Sequence, residues 1–105
     1  AAYVAAKHAM VGLTRALAVE FQTKGIRANA VCPGYTDTAL VSDAMERIVK
    51  KTGRSEAEAM SMILADAGQT RLVTPEEVAA AVVALCDPTS TANGTAVPLL
   101  GVDAA

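Results

Sequence analysis

Between two helical stretches lies a segment too short to be another helix: Ile26-Arg27-Ala28-Asn29-Ala30-Val31-Cys32, stopped by Pro33-Gly34. Helices in globular domains run to about 8–20 residues and strands to about 4–8. A short apolar-rich run so placed reads as a buried parallel strand, since parallel strands are covered by helices on both faces. That segment commits the chain to an α/β architecture with a parallel sheet. Composition agrees, with 52% hydrophobic residues, no Trp and one Phe, the apolar share being mainly Ala, Val and Leu. Such a strand needs a partner on each edge. Within this chain only 95–100 offers itself, and Pro98 marks that segment as an edge strand or one with a bulge.

Upstream, Val4, Met10, Val11, Leu13, Leu17 and Phe21 recur at helical spacing from Tyr3 to about Lys24, and Lys24-Gly25 supplies a basic last turn with a terminating glycine. At the head of this helix Tyr3 and Lys7 stand four residues apart, so they share a face with Cβ atoms roughly 5–6 Å apart. A cation so placed favours the phenolate of a Tyr that otherwise titrates near pH ~10, which equips the pair to exchange a proton with a substrate oxygen. Taken alone, the pair reads more readily as a half-buried Tyr beside a solvated Lys.

Pro33-Gly34-Tyr35-Thr36-Asp37-Thr38 leaves the carboxyl end of the strand, where ligands bind in open α/β sheets. Gly34 permits close approach of backbone to a ligand, and Thr36 and Thr38 carry hydroxyls that donate or accept. A plain strand-to-helix turn capped by Thr38 fits the same residues. Two helices are expected next, at about 40–51 and 56–67, separated by Thr52-Gly53-Arg54. The second opens on the capping box Ser55-x-x-Glu58 and closes at Gly68. Arg47, Lys50, Lys51 and Arg54 form a basic stripe, opposite a soft apolar side containing Met45, Met60 and Met62. Thr74-Pro75-Glu76-Glu77 starts another helix, 75–86, whose Ala and Val content predicts burial along most of its length. A polar turn over 89–94 leads to the last strand.

The net charge of −2 provides no basic field for nucleic acid, and no apolar run reaches the roughly 18 residues that would span a membrane. Cys32 and Cys86 are far apart and lack ligand-like neighbours, so they read as buried thiols of a reducing, cytoplasmic compartment, with no metal site. His8 lies about 140° around the helix from Tyr3 and cannot share its face, which makes it a surface or subunit-contact residue. Tyr35 is expected either at a pocket mouth or packed under neighbouring helices.

These pieces, in this order, resemble the C-terminal part of the short-chain dehydrogenase/reductase family. The resemblance rests on YVAAK at residues 3–7, GLTRALAVEF at 12–21, IRANAVCPGYTDT at 26–38, TPEEVAAAVVALC at 74–86 and NGTAVP at 93–98. It implies a doubly wound, Rossmann-like parallel sheet and a carbonyl/alcohol oxidoreductase using NAD or NADP. Tyr3 would be the general acid/base. Lys7 would lower its pKa and bind the nicotinamide ribose, and Pro33, Gly34, Thr36 and Thr38 would lie against the cofactor. The helices of 40–70 would form a substrate lid, and their basic stripe suits an acyl substrate on coenzyme A or an acyl carrier, although a solvated charged face accounts for it too. Homo-oligomers are usual in the family. The active-site Ser and the glycine-rich phosphate loop have no counterpart here, and where many members have Val-Asp-Gly-Gly this chain has Leu99-Leu100-Gly101-Val102. Residues 1–105, beginning at Ala1, are therefore expected to be the C-terminal portion of a single domain without its N-terminal dinucleotide-binding half, inactive and poorly ordered alone. The rival is a non-catalytic dinucleotide-sensing or interaction module of the same fold, for which an intact Tyr–Lys pair would have no use.

Overall fold

The computed structural model describes residues 1–103. Helix α1 spans Ala2–Glu20 and finishes in a 3₁₀ turn, Gln22–Lys24. The helix stops at Gly25, whose φ of 72° is left-handed and costs a glycine nothing. Strand β1 (Ala30–Pro33), helices α2 (Ala39–Thr52), α3 (Glu56–Ala67) and α4 (Pro75–Cys86), and strand β2 (Ala96–Leu99) follow. The two strands form one sheet. Its hydrogen bonds advance along both strands together, from Gly94 N–H to Ala28 O (2.8 Å), through Ala30 N–H to Thr95 O (2.9 Å), to Gly34 N–H to Leu99 O (3.0 Å), so the pair is parallel.

The chain divides into two compact units: residues 1–32 with 80–97, and Pro33–Ala79 with the segment from Pro98 onward. In the first unit, side chains take over backbone bonding just before β1, which is why the strand begins at Ala30 and not at Ile26. Asn93 Oδ1 accepts from Ala28 N–H (3.0 Å), and its Nδ2 donates to Ala18 O (3.1 Å). Asn29 donates to Ala92 O (3.0 Å) and accepts from both the N–H (3.1 Å) and the hydroxyl (2.7 Å) of Thr95. Arg27 donates to Leu85 O (3.0 Å), Asp87 O (3.2 Å) and Ala92 O (3.1 Å), so a cation meets the carbonyl end of α4. Ala18 is buried, and a Cβ on Gly94, already at φ 73°, would stand 3.3 Å from its methyl.

In the second unit, α2 packs on α3 with Val41, Ala59 and Ile63 buried, and Val73 is fully enclosed. The caps are local. Gly53 (φ 70°) ends α2 and Gly68 (φ 67°) ends α3. Ser55 Oγ accepts from Glu58 N–H (3.2 Å). At α4 the box is reciprocal: Thr74 Oγ1 accepts from Glu77 N–H, and Thr74 N–H donates to Glu77 Oε1, both at 3.1 Å. Arg71 grips the same carboxylate with two nitrogens (2.6 and 3.1 Å) and reaches Asp103 through Nε (3.0 Å).

Burial differs from the sequence expectation. No residue of α4 is buried, and Val83 is 69% exposed. β1 is part-buried with Pro33 exposed, Cys32 is part-buried, and Cys86 is exposed, both thiols being free. Two strands offer too little sheet to enclose a helix, or each other, on every side. Pro98, exposed in β2, has no N–H to leave unpaired, as suits an edge. Among the described residues no helix is long and apolar enough to cross a membrane.

The hydrogen bond from Arg71, then that from the Thr74 backbone, holds the Glu77 carboxyl below its usual range. A depressed folded pKa contributes stability that is complete above the ordinary carboxylate value of about 4.3 and is lost as pH falls through the folded value. Glu77→Gln is therefore expected to lower the melting temperature at pH 7, with the gap to the wild type closing as pH falls below the ordinary carboxylate range. A gap that stays constant with pH would mean that the carboxylate charge is not what stabilises.

Candidate functional site

Helical spacing brings Tyr3 and Lys7 together. The Lys7 ammonium lies over the Tyr3 ring, 5.4 Å from its centroid, an attraction worth about 0.5–1 kcal/mol at an exposed site. Tyr3 is 73% exposed, so its hydroxyl is open to a substrate. His8 is exposed, with Nδ1 2.9 Å from Val4 O one turn back, a surface residue bonded only to its own helix.

In the second unit, residues 33–38 leave β1 and run beside Val73. Val73 N–H donates to Tyr35 O (2.9 Å), Asp37 N–H donates to Val73 O (2.8 Å), and Thr36 bridges Val73 in the parallel sense. The Thr36 hydroxyl donates to Gly34 O (3.0 Å) and the Thr38 hydroxyl to Thr36 O (3.3 Å), so the loop's hydroxyls are ordered by its own carbonyls. Thr38 holds the N-cap position of α2 without making the side-chain cap bond, and no acidic side chain lies in the first helical turn. With both hydroxyls spent on the loop's carbonyls, the donors that fit a phosphate-bearing dinucleotide are the first N–H groups of α2, and Asp37 immediately before the cap is the one acidic neighbour in sequence. Tyr35 is 42% exposed. Tyr3 and Lys7 stand in one unit and Gly34, Thr36 and Thr38 in the other, and each group stands by its own geometry. Among the described residues no group of three or more His, Cys, Asp or Glu could hold a metal.

Gln69, at 7% exposure, is the residue that spacing and motif did not reveal. Its Oε1 accepts from Tyr35 N–H (2.7 Å), and its Nε2 donates to Tyr35 O (3.2 Å) and Arg71 O (3.1 Å). A Cβ on Gly34 would stand 2.5 Å from Gln69 Oε1, and one on Gly101 would stand 2.5 Å from Nε2 and 2.6 Å from Arg71 O. The space left by the missing Gly34 side chain is thus occupied by Gln69. The only sequence signal was a lone Gln after the Gly68 stop, which no local rule distinguishes from an exposed loop amide.

The family model described as enoyl-(acyl carrier protein) reductase matches residues 1–99. D-beta-hydroxybutyrate dehydrogenase of Cupriavidus necator is 40% identical over 85 residues, 80% of this chain and 33% of that protein. Levodione reductase of Leifsonia aquatica is 38% identical over 99 residues, 94% of this chain and 36% of that protein. The chain spans about a third of the length of these relatives. Among solved structures, a variant of actinorhodin polyketide ketoreductase with NADPH superposes with a TM-score of 0.80 at 36% identity, covering 94% of this chain and 38% of that one.

Gly34→Ala is expected to destabilise the fold by roughly 1–3 kcal/mol, because the new methyl drives into an enclosed amide. In the Gln69→Ala background the same substitution should cost far less. Equal costs in both backgrounds, measured by denaturant titration, would show that Gln69 does not impose the glycine.

Proposed function

The chain belongs to the short-chain dehydrogenase/reductase family, and from that premise we propose that it supplies the C-terminal third of an oxidoreductase that interconverts a carbonyl and an alcohol using NAD or NADP. What carries this is a Tyr and a Lys, juxtaposed at 5.4 Å, within a match that runs from residue 1 to residue 99. Tyr3 is the general acid/base, passing its phenolic proton to the substrate oxygen in reduction and taking it back in oxidation. Lys7, held against the ring, binds the cofactor's ribose. Pro33, Gly34, Thr36 and Thr38 hold the dinucleotide, the N–H groups at the start of α2 being suited to its phosphates. When bound, that cofactor supplies or accepts the hydride. NADPH in the ketoreductase structure supports the cofactor assignment, and a hydroxybutyrate dehydrogenase and a levodione reductase among the relatives support a small carbonyl/alcohol pair.

The substrate is carried as an acyl thioester on a phosphopantetheine-type group, over the lid helices of 40–70. Arg47, Lys50, Lys51 and Arg54 are all exposed, and a shallow groove on α3, lined by Arg54, Ala57, Ser61, Met62 and Ala65 together with Glu58, sets apolar surface beside a cation. The enzyme acts as a homo-oligomer in the cytoplasm, with no nucleic-acid or membrane partner. Exposed Val4, Met10, Leu13 and Val19 on α1 support self-association, and two free thiols suit a reducing compartment.

In the full-length protein Tyr3→Phe is expected to lower the turnover number by about two to four orders of magnitude with cofactor affinity nearly unchanged, because only the proton donor is lost. Lys7→Ala should impair both. Near-normal turnover of Tyr3→Phe in a steady-state assay would refute the mechanism. Replacing Lys50 and Lys51 together with Glu should raise the Michaelis constant for a coenzyme A thioester several-fold and leave that for a small ketone unchanged. Equal effects on the two substrates would remove the thioester assignment.

A further inference from the structure

We infer that Gln69 is a positioning residue for the dinucleotide-facing loop, an inference that rests on the cofactor assignment proposed above. One planar amide engages both backbone groups of a single residue, accepting from Tyr35 N–H (2.7 Å) and donating to Tyr35 O (3.2 Å). Its remaining hydrogen goes to Arg71 O (3.1 Å). Two contacts to one residue from a rigid plane set the rotation of the Tyr35 backbone as well as its place, and Tyr35 precedes Thr36 directly. A flipped amide would aim oxygen at two carbonyls, so only one orientation satisfies the site.

Gln69 also has no alternative place to go. Its side chain is enclosed, and it fills the space where a Cβ on Gly34 or Gly101 would stand. The loop is also held by the Val73 backbone, through its N–H to Tyr35 O and its carbonyl to Asp37 N–H. Among the described residues, Gln69 is the only side chain outside the loop that hydrogen-bonds to residues 34–36. Anchoring runs on from there: Gly101 O accepts from the N–H groups of Thr70 (2.9 Å) and Arg71 (3.1 Å), and Asp103 N–H donates to Thr70 Oγ1 (3.1 Å). Residues 69–71 therefore join the proposed cofactor loop to the segment after β2.

The test uses the full-length protein, with Gln69→Met, Gln69→Glu and, as a stability control, Glu77→Gln. Dissociation constants for NADH and NADPH come from calorimetry, amide exchange at Tyr35 from hydrogen–deuterium measurements, and turnover from assay at saturating cofactor. Gln69→Met keeps the length and loses the polar contacts. It is expected to speed exchange at Tyr35 and weaken the preferred dinucleotide about tenfold, with turnover at saturation changed far less. Gln69→Glu should bind at least as poorly at pH 7, where an ionised oxygen faces two carbonyls. Its affinity should recover as pH falls and the protonated acid regains a donor. Glu77→Gln should lower the melting temperature with the dissociation constant unchanged. If the wild type binds and Gln69→Met binds equally well, or if Glu77→Gln weakens binding in step with its lost stability, the inference is overturned while the cofactor assignment stands. If the wild type binds neither dinucleotide, the cofactor assignment fails and this inference fails with it.

Discussion

A buried primary amide has three hydrogen-bonding obligations that matter, two donors and an acceptor, and leaving any of them unmet costs on the order of 1–3 kcal/mol. Gln69 meets all three with backbone groups, and the second unit is arranged so that it can. Two of its neighbours must be glycine for the amide to fit, and at Gly34 that need is purely one of space, since its φ is not left-handed. The Tyr35 carbonyl accepts twice, from Gln69 and from Val73, so the loop cannot tilt towards one anchor without stretching the bond to the other. No buried side-chain polar atom among the described residues lacks a partner. The polar centre is fully satisfied, and such networks specify a unique arrangement in a way that apolar contact does not.

The first unit reaches the same end by other means. Asn93 ties the last turn of α1 to the segment entering β1, and Asn29 ties that segment to the residues entering β2. Both asparagines take ladder bonds at the mouth of the sheet, between the first backbone bonds that join the two segments. α1 is thus fastened near Ala18, while Tyr3 and Lys7 lie towards the far end of the same helix, about four and three turns away at 3.6 residues per turn. The proposed proton-transfer pair owes its mutual placement to helix geometry alone.

What the sequence made legible follows from how local each signal is. The glycine stops at 25, 53 and 68, the capping residues Ser55 and Thr74, and the four-residue spacing of Tyr3 and Lys7 are settled within one helical turn, and each stands where expected. Strand β1 was recognisable from its length and its Pro-Gly stop, but its start was not. The residues that displace it, Asn93 and Thr95, lie more than 60 positions away. Gln69 was invisible for the same reason, its partners being 34 positions upstream at Tyr35 and two downstream at Arg71. Burial of α4 was inferred from composition, which reports what a helix could pack against. A two-stranded sheet leaves that capacity largely unused. The loop threonines were identified correctly as hydroxyl-bearing, yet periodicity could not show that both donate inward to the loop's own carbonyls.

The two buttressing arginines differ in what they hold. Arg71 is bound chiefly to carboxylates, Glu77 and Asp103, with one further bond to the Leu72 carbonyl, whereas Arg27 makes its three hydrogen bonds to the carbonyls of Leu85, Asp87 and Ala92. Mobile ions screen attraction between exposed charges, with a Debye length of about 3 Å at 1 M salt, but they compete poorly for short bonds to neutral carbonyls. Ionic strength therefore acts unequally on the two anchors. In concentrated electrolyte the tether from Arg71 to the segment after β2 loosens first, while the latch of Arg27 on the end of α4 persists, so a halophilic setting and a dilute one would find different weak points in the same chain.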